Sequence, residues 1–365
     1  MAARTSSPGA GFGPWRTLVA VTALAAALTL MPPALAERTY ARALYPSIQR
    51  VLTGLSNPVP IALFDVVAVL AVLLLVLLWR RGLSRAARRR HGTVRATAST
   101  MVRTLLVAAA GVLWFQVAWG LNYGRPPVDV RLELPAAPPS PEEVTALLAR
   151  AVAGANADHA AAHAAGFPGP GQVPAALVEA LHEVERQDGR PVPTTPGRSK
   201  ATLLGWYFRA AGVDGMTAPA LLETLLNPDL TGPERAFVVA HEWAHLAGYA
   251  PEADANFVAW RACARADPAA RYSAWLFLVG EAARQVPGET RRRLLGTLDA
   301  GPRADLDDIA RRASTAVDLV QRVGWRVYDG YLKAQGIAEG VGSYSRVVEL
   351  IIRAERRSSP ASSRR

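Results

Sequence analysis

The sequence predicts a mainly α-helical protein: N-terminal transmembrane helices, then a mostly helical domain with at most a small β element. Three observations carry that expectation. Long apolar stretches crowd the first third of the chain, the positive charge is gathered between two of them, and from Pro233 onward helical patterns follow one another with few strand signals.

The apolar stretches cover about 17–36, 61–79 and 104–121. Each is near the roughly 20 residues that a helix needs to cross a bilayer. The middle one, "IALFDVVAVLAVLLLVLLW", has Asp65 as its only charge. The net charge is +11, and residues 80–103 hold eight arginines and no acid. Residues 104–365 are close to neutral in sum, so the basic excess is a topology signal and the sequence points to no nucleic-acid partner. Short cytoplasmic loops collect Lys and Arg. The 80–103 loop is therefore expected inside the cell membrane, against anionic headgroups, with the N-terminus also inside and everything after Leu121 extracytoplasmic. Trp114, Phe115, Trp119 and Tyr123 gather near the outer end of the third stretch, as an interfacial aromatic belt would. The first stretch, with Arg4 and Arg16 before it and "ALA" ahead of Glu37, also has the look of a cleavable signal peptide. Its length and Pro32–Pro33 favour an uncleaved anchor. The expected division is a membrane domain at 1–121, an extracytoplasmic domain at 122–357 and a disordered tail at 358–365.

Past the membrane, "NYGRPPVDVRLELPAAPPSPEE" is a Pro-rich exit in which Val128–Leu134 alternates as a strand would. Ser140-Pro141-Glu142-Glu143 starts a helix, with Ser as N-cap, Pro at N1 and Glu at N3. That helix runs to about Ala165, and a second covers "PAALVEALHEVERQ". "LLETLLNPDL" fits a short strand or a helical turn equally well. Further helices are expected at Pro233–Gly248, Pro251–Ala266, Ala269–Gln285, near Thr290, from Asp305 to about Ala334, and at Gly342–Arg357. Cys263 is the single cysteine, which excludes a disulfide within the chain and a Cys-based zinc site.

The chemistry lies in "VVAHEWAHLAGYAPEADANF", Val238–Phe257. Residues four apart on a helix share a face, so His241 and His245 offer two imidazoles to one ion. Glu242 sits beside the first of them. This is the H-E-x-x-H arrangement of zinc hydrolases, in which the glutamate serves as general base. Val238, Val239, Ala240, Trp243, Ala244 and Leu246 make the helix a buried one, where ionisable groups are costly unless paired or bound to metal. Two similar stretches fail the pattern: no acid follows the first histidine of His159 and His163, and Arg186 stands where His182-Glu183 needs a second histidine. The former pair is expected on a solvated helix face.

A catalytic zinc site takes three protein ligands and one open position. In one protease class the third is a histidine six residues after the second, but Pro251 occupies that place. Gly248 can end the helix in a left-handed cap, and Pro251 can open the next. That puts Glu252 in its first turn as the expected third ligand, with Asp254 as the alternative. Asn256, on the face of Glu252, is the expected partner that orients a ligating histidine. Tyr249, Tyr207 and Arg209 are candidate oxyanion donors, and Tyr344 and Arg346 are alternatives from the C-terminal helix.

"HEWAHLAGYAPEADANF" resembles the signature of a bacterial membrane family, domain-of-unknown-function family 3810. "WGLNYGRPP" (Trp119–Pro127) and "YLKAQGIAEGVGSYSRVVELI" (Tyr331–Ile351) resemble other parts of it, so the likeness spans nearly the whole chain. The "E-x-x-A-N" piece is also similar to the glutamate helix of gluzincin peptidases. That likeness implies a zincin-like fold and zinc ligation by Glu252, although Asn256 stands where several gluzincins have Asp. The expected function is that of a membrane-anchored zinc metallopeptidase with one Zn²⁺ per chain and an envelope or extracytoplasmic peptide substrate. The other readings are a cell-wall amide hydrolase and a non-catalytic protein whose zinc staples two helices.

Overall fold

The computed structural model describes residues 13–88, 93–334 and 346–358. They are dominated by helices, and three short strands form one sheet, as the sequence predicts. The chain divides into two compact units.

The first unit takes in residues up to Met31 and Val66–Val117. It holds α1 (Pro14–Thr29), most of α4 (Leu63–Arg88) and most of α5 (Thr93–Ala118). Both α4 and α5 are long and apolar enough to cross a membrane. A third span is counted only if α1 and the broken run Pro33–Ser56 are taken as one. Much of the basic stretch 80–103 is helical, since α4 runs to Arg88 and α5 starts at Thr93. The two helices come close at Gly82, where an added Cβ would lie 2.2 Å from Thr100 Oγ1. Only a glycine permits that approach.

The second unit takes in Pro32–Asp65 as well as Ala118 onward. Its first segment comprises α2 (Pro33–Leu35), a π-helical run (Ala36–Leu44) and α3 (Tyr45–Ser56). This segment belongs to the large domain, although the sequence pattern gave it no part there. Its buried polar side chains reach into that domain: Gln49 Nε2 donates to Thr195 O at 2.8 Å, and Thr53 Oγ1 to Leu222 O at 2.9 Å. A 3₁₀ turn (Gly120–Gly124) and α6 (Val128–Arg131) follow. The alternating stretch at 128–134 is thus a helical turn, not a strand. Val128 N–H bonds the Asp254 carboxylate at 2.9 Å, so no strand ladder forms there.

α7 (Pro141–Ala165) begins with the expected capping box, Ser140 with Glu143. It packs along α12 (Pro268–Ala283) so closely at Gly154 that a Cβ would lie 2.4 Å from the Trp275 ring. α8 (Ala175–Gln187) packs on α11 (Glu252–Cys263). The sheet has the order β1 (Ser199–Lys200), β3 (Glu223–Leu226), β2 (Gly215–Ala218). β1 runs parallel to β3 and β2 antiparallel to it, with Thr217 opposite Thr224. "LLETLLNPDL" therefore supplies the central strand. α9 (Gly205–Ala211) packs Phe208 against Ala218 and Leu225 beside the sheet. Lys200 and Glu223 form a buried ion pair at 2.6 Å, and Glu223 also accepts the Leu63 and Phe64 amides at the start of α4. Both charges are compensated by hydrogen bonds, without which their burial would be costly.

α10 (Gly232–Leu246) lies against α11, α12 and β2 and carries the histidines. α13 (Gly288–Leu295) and α14 (Ala300–Ala313) follow, then α15 (Asp318–Ala334) and α16 (Arg346–Ser358). The single helix expected from Asp305 to Ala334 is in fact two. Ser314 and Thr315 turn their hydroxyls onto the Arg311 and Arg312 carbonyls, and Val317 N–H bonds Ala210 O at 2.8 Å. Such side chain–backbone bonds compete with helix continuation. The expected start of the last helix at Gly342, the candidate Tyr344 and most of the 358–365 tail lie outside the described residues.

Candidate metal centre

α10 is set up by its ends. Pro233 stands in its first turn, and the Glu234 carboxylate accepts the Thr231 amide at 2.7 Å. Buried Trp243 fixes its rotation by donating its indole N–H to Gly197 O at 2.8 Å. Gly248, with φ +79°, ends it in the expected left-handed cap, and Tyr249 N–H returns to Ala244 O at 3.1 Å.

The exit from α10 is held by four side chains. His245 O accepts from Trp119 Nε1 at 2.9 Å, Leu246 O from Tyr45 Oη at 2.8 Å, Ala247 O from Arg190, and Gly248 O from Arg125 Nη1 at 2.8 Å. Arg125 is itself anchored by Glu37 at 2.7 Å. A helix end buried without partners would leave its carbonyls unsatisfied. Here Trp119 and Arg125 of "WGLNYGRPP" meet that need, with Tyr45 and Arg190. Trp119 is accordingly 7% exposed, a support for the site where an interfacial residue was expected.

His241 and His245 present their Nε2 atoms 3.1 Å apart. Glu252, in the first turn of α11, places Oε2 3.1 Å from His241 Nε2 and 3.5 Å from His245 Nε2. Zinc bonds of about 2.0–2.1 Å set tetrahedral ligand atoms about 3.3 Å apart. The three donor atoms therefore have the spacing of three corners of such a shell. His245 Nδ1 donates to Tyr249 O at 2.8 Å, which leaves Nε2 as the free lone pair of a neutral ring. Glu252 Oε2 and His241 Nε2 both lie within 3.5 Å of it, a set of facing donor atoms that a shared cation or proton would stabilise. Without a metal a proton meets the need: burial pulls His245 down, yet Glu252 and Glu242 push it up to about 9. Glu252 is held well below the usual carboxylate range, since both histidines outweigh its burial. The donor set fits a borderline divalent ion such as zinc.

Glu242 is buried beside these three side chains. Its Oε2 accepts from Thr217 Oγ1 of β2 at 2.8 Å. β2 passes so near that a Cβ on Gly215 would lie 2.6 Å from Glu242 Oε1. Burial pushes the carboxyl up, against the pull of His241, His245 and the Thr217 hydrogen bond. The pattern H-E-x-x-H gave no sign of Thr217 or Gly215. The close approach of this strand to the helix is visible in three dimensions alone.

The other expected residues fall as follows. Asp254 turns from this cluster, accepting from Val128 N–H and lying 3.8 Å from Arg131; burial raises it to about 6. Asn256 is buried one turn beyond Glu252, while the Tyr249 carbonyl orients His245. Tyr249 is corrected as an oxyanion donor, because it gives its hydroxyl proton to Asp188 at 2.6 Å. Arg209 is paired with Asp229 at 2.6 Å, and Tyr207 lies with its hydroxyl against Gly324. Arg346 approaches Asp129 at 3.5 Å. Cys263 is buried at the end of α11, and burial pushes its thiol up, which makes it inert.

The family described as "Protein of unknown function (DUF3810)" matches residues 40–352. The chain belongs to this family. The match takes in α3, the carbonyl-binding side chains Tyr45, Trp119, Arg125 and Arg190, the histidine helix and the first half of α16. Comparison with curated proteins and with solved structures finds no match.

Proposed function

We propose that this DUF3810 protein is a membrane-anchored zinc metallohydrolase of the metallopeptidase type, built on a zincin-like arrangement. The observation that carries the reading is the convergence of His241, His245 and Glu252 with a buried carboxylate, Glu242, held next to them by Thr217. A site that only stapled two helices would gain nothing from Glu242, whose burial is a cost. Structural zinc sites are also normally closed by four protein ligands.

His241, His245 and Glu252 would hold the ion. When bound, it would supply the Lewis acidity that makes water a nucleophile near neutral pH and polarises a carbonyl. Glu242 takes the proton from the attacking water as the C–O bond forms. It returns that proton to the amide nitrogen as the C–N bond breaks. Thr217 keeps the carboxylate aimed through both steps.

The position of β2 supports an extended peptide as substrate. Among the described residues it is an edge strand, paired on one side with β3, and it runs beside Glu242. A peptide that adds to such an edge gains backbone hydrogen bonds in register with the catalytic group. The eight arginines at 80–103, between two apolar helices, support a multi-pass topology with an inside loop and an extracytoplasmic site.

The test is hydrolysis by the detergent-solubilised full-length protein, offered polypeptides and peptidoglycan in parallel, with Glu242→Gln as control. Cleavage of polypeptide by wild type and not by the variant is expected. Cleavage of peptidoglycan alone would move the reading to a cell-wall amide hydrolase.

A further inference from the structure

The histidine pair that the sequence assigns to a solvated surface has a third member. His159 and His163 lie on α7, and α14 brings Asp305 to them. His163 Nε2 is 2.9 Å from Asp305 Oδ2, and His159 Nε2 is 3.6 Å from the same oxygen. The donor set is that of the first centre: two imidazoles at i and i+4, and a carboxylate from another helix. The two nitrogen–oxygen distances lie either side of the roughly 3.3 Å edge of a tetrahedral zinc shell, and all three atoms lie within 4.8 Å of one another.

The side chains are held in place from several elements. Tyr272 of α12 donates its hydroxyl to Asp305 Oδ2 at 2.5 Å and meets both imidazoles edge-on. Phe167 packs edge-on against the His163 ring at 5.1 Å. Gly301, one turn before Asp305 on α14, lies so close to His159 that a Cβ would stand 2.3 Å from its ring. The α14 backbone thus lies against the imidazole, and a larger residue at 301 would have to displace the ring.

Hydrogen bonds pair Tyr272 and His163 with Asp305 and leave His159 Nε2 outside them, with its ring against that of His163 at 4.3 Å. Asp305 Oδ2 already takes Tyr272 and His163, and one carboxylate oxygen offers about two lone pairs. His159 Nε2 points at the same oxygen from beyond hydrogen-bond range. An ion among the three atoms would satisfy all of them. The side chains of His163 and His159 are 42% and 28% exposed, so water can complete the shell.

We propose that His159, His163 and Asp305 form a second, independent site for a divalent transition-metal ion of the zinc class. Two nitrogens and one oxygen suit such an ion over magnesium or calcium. The ion pins α14 to α7. Two turns further along α14, Arg312 pairs with Glu234 at 2.7 Å and with Asp214 at 2.9 Å. Glu234 lies in the first turn of α10, and Asp214 immediately precedes β2. The second ion therefore steadies the helix that braces the elements carrying His241 and Thr217.

The experiment is calorimetric titration of metal-stripped, detergent-solubilised full-length protein with Zn²⁺, reading equivalents bound, with the melting temperature at each ratio. Wild type should take two equivalents. Asp305→Asn keeps an acceptor for Tyr272 and both histidines, and it should take one, as should His163→Ala. His241→Ala should keep the equivalent that Asp305→Asn loses, and Zn²⁺ should still raise its melting temperature. The proposal is overturned if wild type and Asp305→Asn take the same number, or if His241→Ala takes none. If His241→Ala instead matches wild type while Asp305→Asn loses one, the second site stands and the first centre fails.

Discussion

At the scale of single residues, the site rests on a few contacts that tolerate little change. Gly215 is the sharpest case, since a Cβ there would lie 2.6 Å from Glu242 Oε1 and 3.0 Å from its Cγ. Gly215→Ala should push the Glu242 carboxylate off Thr217 and lower kcat by about 10-fold or more, because small displacements of a catalytic group are costly. Zinc content should stay at the wild-type value, and steady-state kinetics with metal analysis checks both. Glu252→Ala should do the opposite and lose zinc affinity by opening the ligand set. His241 and His245 were legible as a pair because residues four apart share a helix face, and Glu242 because it follows the first of them in the H-E-x-x-H pattern. Glu252 was legible as one of two carboxylates, and the structure turns the other, Asp254, to Val128. Asp305 was not legible beside His159 and His163, because it stands 142 residues from His163 in the chain and no local pattern links them.

At the scale of elements, the exit of α10 positions the centre. Gly248 has φ +79°, and a Cβ there would also lie 2.6 Å from Asn122 Oδ1. Gly248→Ala should destabilise the protein by about 1–3 kcal/mol through strain at a left-handed position. Thermal melts check this, and an unchanged melting temperature would contradict the cap. Trp119→Phe removes the donor to His245 O and should lower stability by about 1–2 kcal/mol, the cost of a buried carbonyl left unpaired. Most helices could be read from capping and periodicity, as Ser140–Glu143 and Gly248 show. Two elements misled for identifiable reasons. The 128–134 stretch alternates like a strand, but its first amide is taken by Asp254. The break between α14 and α15 depends on Ser and Thr hydroxyls and on a bond to Ala210, contacts that periodicity does not encode.

At the scale of the whole molecule, the large domain extends beyond what apolar periodicity outlines. Pro32–Asp65 belongs to it, and its role rests on single polar contacts such as Tyr45 to Leu246 O. The apolar helices were legible because length and composition suffice for them. Charge asymmetry adds the sidedness: a reporter active only outside the cytoplasm, fused after Arg365, should be active, and activity of a cytoplasm-only reporter there would overturn the topology. The central claim is that His241, His245 and Glu252 hold the ion while Glu242 moves protons. The most direct measurement is turnover together with zinc content in Glu242→Gln, which keeps the size of the side chain and removes its basicity. Wild-type zinc, a wild-type melting temperature and a loss of turnover of about 10²–10⁴-fold are the predicted result. Unchanged turnover in Glu242→Gln, alongside complete loss of activity in His241→Ala, would contradict it.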